Sequence, residues 1–167
     1  MTMNMGAEQG MICLLSIVTL VCVCYPVLSL VRCGVPESLS ATYYSLGKHG
    51  RLFQLVMFAV GVLLLPVWIG VSSEPYRHLC FLACGSLLFV AAAPAFKLEL
   101  QGKVHYGSAI VCCVCVVLWQ ILEGLWDVTL WFGFVGGMLS LSMKDKWCWW
   151  MEWAVVFSLL GNLWRVV

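Results

Sequence analysis

Charge is what this sequence has least of. Nine lysines and arginines and eight acids make up 10% of its 167 residues, whereas 63% are hydrophobic. A typical soluble domain carries about 25% charged residues. That scarcity excludes a water-soluble fold, because so much apolar side chain cannot be hidden in a chain of this length. No basic cluster is present, so nucleic acid is excluded as a partner. Serine-hydrolase elbows, zinc-protease helices, phosphate loops and dinucleotide fingerprints are also missing. No catalytic residue, metal site or cofactor is therefore assigned.

What is present is hydrocarbon. Six apolar runs cover residues 11–31, 52–71, 78–96, 105–122, 128–143 and 147–166. A bilayer core needs about 20 helical residues to cross it. Continuous apolar runs leave no alternation for a barrel, and lipid cannot satisfy open backbone groups. The expected fold is all-α, an integral membrane bundle of six transmembrane helices forming a single domain over residues 1–167. The fifth run is short and close to the fourth, so five spans with a re-entrant segment is the alternative. The first run is expected to be retained rather than cleaved. Its flank Met1–Gly10 has no Lys or Arg, and no small-residue cleavage site follows. Arg32 before Cys33 stands where a lipoprotein attachment site wants a small residue.

Net charge is +1, but the basic residues are unevenly placed. Arg32, Lys48, Arg51, Lys97, Lys103, Lys144 and Lys146 fall on one side of the six-span arrangement, Arg77 and Arg165 on the other. Basic residues in short loops stay cytoplasmic. The expected location is an inner (plasma) membrane, with both termini outside the cytoplasm. Of the ten cysteines, Cys33 and Cys148 sit near an interface and the other eight lie deeper in the runs, where a thiol packs as a small apolar group. Cys112, Cys113 and Cys115 lack the spacing of a zinc or redox site.

Several features predict packing. Gly133 and Gly137 form a G-x-x-x-G pair with Gly136 and Ser140 beside it, and Ala91 and Ala95 form a second small pair. Pro26 and Pro66 are expected to bend their helices. Trp147, Trp149, Trp150 and Trp153 at one face, with Trp68, Tyr76, Trp126 and Trp164 at the other, read as interfacial anchors.

The fourth run carries a pattern of its own. His105, Ser108, Cys112, Cys115, Trp119 and Glu123 are offset by 0, 3, 7, 10, 14 and 18 residues. At about 100° per residue they share an arc of roughly 80°. The intervening residues are mainly Val, Ile and Leu, suited to lipid. Such a stripe either packs against neighbours or lines a polar path. Glu152, inside the last run, is an ionisable group at membrane depth and hence a site candidate. Lys144, Lys146, Lys97 and Arg51 are its expected ion-pair partners.

The segment from Gly34 to Arg51 is the longest polar stretch. Pro36 and the residues after it predict a short interfacial helix, with Gly47 and Gly50 as a flexible stop. Its hydroxyls, including Ser40 and Tyr44, together with Lys48, His49 and Arg51, could hold an anionic lipid headgroup. The candidate binding residues are His105, Ser108, Glu152, Arg51, Ser40, Tyr44 and Glu123. Membrane lipids are the expected partners, with a membrane-protein partner or a second copy of the chain also open. A lipid or partner binder is the leading reading, and a small transporter or channel along the fourth helix the competing one.

Pro36-Glu37-Ser38-Leu39-Ser40-Ala41-Thr42-Tyr43-Tyr44 with Phe53, and Val104-His105-Tyr106-Gly107-Ser108-Ala109, resemble small uncharacterised bacterial multi-pass membrane proteins. The H-x-x-x-A element from His105 to Ala109 resembles the Frag/DRAM/Sfk-type family of six-span proteins. Both resemblances imply a helical membrane bundle, and neither implies a reaction. The ceramidase/progestin-receptor-like hydrolases are excluded, since they need a late histidine pair and no His follows His105.

Overall fold

The computed structural model describes residues 5–95 and 98–167, and among these there are seven α-helices and no strand. Helix α1 spans Met5–Cys33. A short α2 (Thr42–Ser45) and a single 3₁₀ turn (Gly47–His49) lead into α3 (Arg51–Val71). A turn at Glu74–Tyr76 precedes α4 (Arg77–Ala92), and α5 (Leu98–Leu122), α6 (Trp126–Ser142) and α7 (Trp147–Val166) complete the chain. Among the described residues, four segments are long and apolar enough to cross a membrane: Met5–Cys33, Gly47–Val71, Glu74–Ala92 and Gly102–Leu122.

The helices outrun the hydrophobic runs at two places. α1 begins at Met5 and α5 at Leu98, because Ala, Glu, Gln and Leu in those flanks are good helix formers although several are polar. Hydropathy marks the apolar part of a helix, not its ends. α4 gives way to a 3₁₀ turn at Ala93–Ala95, where Pro94 can donate no helical hydrogen bond. Phe96 and Lys97, the expected end of the third run and a cation beside it, lie outside the described residues. α1 and α3 run through Pro26 and Pro66 as continuous helices.

α6 is one unbroken helix of 17 residues, joined to α5 by a full reversal. Gly124, at φ +75°, makes that reversal possible. The Leu125 N–H donates to the Gln120 carbonyl at 2.8 Å and the Gly124 N–H to that of Ile121 at 3.0 Å. This is the paired 6→1 and 5→2 pattern of a helix C-terminus with a left-handed residue.

Helices α1, α3, α4 and α5 pack each on the next, and α6 and α7 form a tight antiparallel hairpin. α5 meets that hairpin only lightly. The expected flexible stop at Gly50 is instead a close contact. Its backbone is helical, and a Cβ there would lie 2.1 Å from the Tyr43 carbonyl oxygen. The expected short helix is cut to α2, and the segment before it folds in beneath α7. The Trp149 N–H donates to the Glu37 carbonyl at 3.2 Å. Thr42, fully buried, donates to the Leu39 carbonyl at 2.5 Å and accepts from the Tyr25 hydroxyl of α1.

Two sequence expectations about packing are corrected. Gly133 and Gly137 face open space, and Gly136 is the residue against α7, where an added Cβ would meet the Ala154 Cβ at 2.6 Å. Several tryptophans read as interfacial anchors are interior. Trp68, Trp149 and Trp153 are buried, whereas Trp126, Trp147 and Trp164 are exposed. Alternating burial along α7 follows the helical period, which places Trp149 and Trp153 one turn apart on the inner face.

Candidate functional site

A cavity of about 110 Å³ runs inside the bundle between α1, α3, α4, α5 and α7. Its polar end is formed by Ser40, His105 and Glu152, three candidates drawn from a loop and two distant helices. The rest is apolar, including Phe53, Met57, Val60, Leu64 and Val116, together with the thiols of Cys22, Cys84, Cys112 and Cys113. Trp68 lines the far end, in edge-to-face contact with Trp119 at 5.3 Å between ring centroids.

Glu152 has no ion-pair partner among the described residues. Its Oε2 accepts the Leu39 backbone N–H at 2.6 Å, and the Cys148 thiol hydrogen-bonds the same carboxylate. Arg51 and Lys144 are exposed elsewhere, and Lys97 lies outside the described residues. The physical reason is rotational. Glu152 projects from α7 under the 34–41 loop, where the Leu39 N–H meets it. The only ion pair among the described residues joins Arg165 to Asp127 at the other end of the bundle.

His105 opens the stripe on α5, and its imidazole donates to the Val90 carbonyl of α4. The stripe turns inward: Cys115 and Trp119 are buried, while Ile110, Val111, Val114, Leu118, Ile121 and Leu122 are exposed. The Trp119 indole N–H donates to Ser72 Oγ at 2.8 Å. Ser108 is half-buried beside the cavity lining rather than in it. Ser40 pairs with Ser38 through their hydroxyls at 3.1 Å. Tyr44 is 67% exposed, packed edge-on to Tyr43. Glu123 caps the turn between α3 and α4, accepting the Ser73 N–H at 2.7 Å and its hydroxyl at 2.8 Å. Tyr44 and Glu123 therefore stand apart from the cavity.

A second concavity lies on the outside of the bundle. It is a groove of about 1170 Å³ between α1, α3 and α4. Arg32, Lys48, His49 and Arg51 rim its end, and Leu55, Phe58 and Phe89 line its length as exposed apolar side chains. Arg51 is thus the candidate that belongs here. Arg32 joins it from the last turn of α1, a partnership visible only once α1 and α3 are packed.

One polar cluster escaped the sequence reading. Gln120 and Asn162 are fully buried, with the Asn162 side-chain N–H donating to Gln120 Oε1 at 2.8 Å. Thr129 of α6 hydrogen-bonds the same Gln120 oxygen, tying α5 to the α6–α7 hairpin. The signal was an amide within each of two apolar runs, which a search for ionisable groups passes over. Gln120 Nε2 and Asn162 Oδ1 have no hydrogen-bond partner among the described residues, nor do the indole N–H groups of Trp68, Trp150 and Trp153. Comparison with known protein families, curated proteins and solved structures finds no match for the chain.

Proposed function

We propose that this is a multi-pass protein of an inner (plasma) membrane that crosses it six times, has both termini outside the cytoplasm, and binds an anionic lipid at its cytoplasmic face. Four segments long and apolar enough to cross a membrane, followed by the apolar hairpin of α6 and α7, support this reading, as does the uneven placing of basic residues along the sequence. The observation that carries lipid binding is the outer groove, where Arg32, Lys48, Arg51 and the imidazole of His49 sit at the mouth of an apolar trough. A phospholipid has that same division, an anionic head above hydrocarbon. Each Lys or Arg near an anionic surface contributes about 1 kcal/mol, so Arg32, Lys48 and Arg51 together favour an anionic head on the order of 100-fold.

Native mass spectrometry after gentle solubilisation tests this reading. The chain should retain phosphatidylglycerol in preference to phosphatidylcholine. Arg32→Gln, Lys48→Gln and Arg51→Gln combined should erase the preference, while Lys144→Gln, outside the groove, should leave it. Equal retention of both lipids by the unaltered protein would refute the proposal. The transporter reading lacks comparable support, since the internal cavity ends at the Trp68–Trp119 pair instead of continuing along α5.

A further inference from the structure

We infer that the outer groove selects a lipid whose head is a bare phosphate monoester, of the phosphatidic acid type, over lipids that join their phosphate to a second alcohol. The inference rests on the lipid-binding reading above and narrows it to one class of head group. Lys48 and Arg51 stand three residues apart across the turn into α3, so their side chains leave it on the same side. Arg32 reaches the same mouth from the last turn of α1. No acidic side chain lines the groove. Among the described residues, Arg32, Lys48, His49 and Arg51 have no hydrogen-bond or ion-pair partner for their side chains. Like charges brought together in this way repel one another. The turn that carries Lys48 is held in place, because Gly50 packs against the Tyr43 carbonyl oxygen. The fold thus keeps the repulsion at the mouth until an anion relieves it.

The chemistry of the head follows from the donors. A phosphodiester carries a single negative charge and two free oxygens. A phosphomonoester carries about −1.5 to −2 at neutral pH and three strong acceptor oxygens. Two guanidinium forks and one ammonium can serve all three of those oxygens, and the second charge falls where three cations already meet. Capping the third oxygen with glycerol, ethanolamine or choline removes that charge and one acceptor. Arg and Lys only donate, so the rim offers the added group little in return. Below the rim the groove turns apolar within one helical turn, about 5.4 Å. Leu28 lies four residues from Arg32 on α1, Leu55 lies four from Arg51 on α3, and both line the groove. Phosphate therefore sits at the mouth with acyl chains directly beneath it. Gly85 of α4 also lines the groove, and a Cβ there would meet nothing within 4 Å, so the α4 wall is open to a chain.

The test offers the full chain, in mixed-lipid nanodiscs, pairs of dioleoyl lipids and reads retention by native mass spectrometry. Phosphatidic acid should be retained about tenfold over phosphatidylglycerol, since one more charge faces three cations. Phosphatidylmethanol, in which a methyl group caps the third oxygen, should be retained no better than phosphatidylglycerol. Arg51→Lys keeps the charge and loses a fork. It should shrink the advantage of phosphatidic acid and leave the preference for phosphatidylglycerol over phosphatidylcholine. Gly85→Leu, which fills the groove without displacing a neighbour, should lower retention of both anionic lipids alike. Excess inorganic phosphate should not displace phosphatidic acid, because it has no chains to fill the trough. Displacement would assign the cations to a soluble phosphate compound and overturn the inference. Equal retention of phosphatidic acid and phosphatidylglycerol, both above phosphatidylcholine, also overturns it and leaves the anionic-lipid reading standing. Equal retention of all three lipids sinks both. The lipid series needs no variant and therefore does not depend on one folding.

Discussion

Asp127 stands at the first turn of α6, just outside the apolar run that begins at Val128. The Arg165 guanidinium, 2.5 Å away, holds its carboxyl below the usual carboxylate range, helped by the Val128 N–H. A carboxylate whose pKa is lower in the folded protein than in the unfolded chain stabilises the fold above its ordinary pKa of about 3.9. That contribution is lost as the pH falls through the folded value. Both side chains are about half exposed, so the pair is screened and its effect is small. Arg165→Gln should return the Asp127 carboxyl-carbon titration toward about 3.9. It should lower the melting temperature slightly at neutral pH and not at all in strong acid. A gap of the same size at both extremes would show that Arg165 acts through packing instead.

Between helices, small residues decide how closely the hairpin closes. Gly136 meets Ala154 and the Trp150 carbonyl, whereas Gly137 next to it meets nothing. Gly136→Val should overpack the α6–α7 seam and cost about 1–3 kcal/mol of stability, while Gly137→Val should be tolerated. Chemical-denaturant unfolding in detergent would separate them, and equal losses would refute the assignment. The sequence pointed to the right helix and the wrong glycine, because a G-x-x-x-G spacing marks a smooth face without saying which way that face turns. The stripe on α5 was more legible. Its 80° arc of polar and small residues stood out against β-branched and leucine neighbours that only lipid could cover. Along α7 the same logic was hidden, since tryptophans suit an interface and a core equally well.

For the molecule as a whole, hydropathy revealed the helices but not their rotation, and rotation is what builds a site. Ser40, His105 and Glu152 come together because the 34–41 loop tucks beneath α7, a fold of the backbone that no side-chain pattern announces. Arg51 lies close to Ser40 in sequence, yet it belongs to the outer groove. Ser108 lies three residues from His105 and just misses the cavity that Ala109 lines.

The clasp between that loop and α7 also dictates a timetable. Leu39 and Glu152 are 113 residues apart, so the carboxylate that holds the first long loop is synthesised among the last residues of the bundle. Until α7 arrives, the N–H of Leu39 and the carbonyl of Glu37 must find other company. Assembly of the basic end is therefore a late event in biogenesis, whatever the order in which the earlier helices enter the bilayer. A chain halted before Trp147 should insert α1 and α3 but leave residues 34–41 open to protease, and the finished protein should protect them. Equal protection in both would mean that the loop settles without its distant partner.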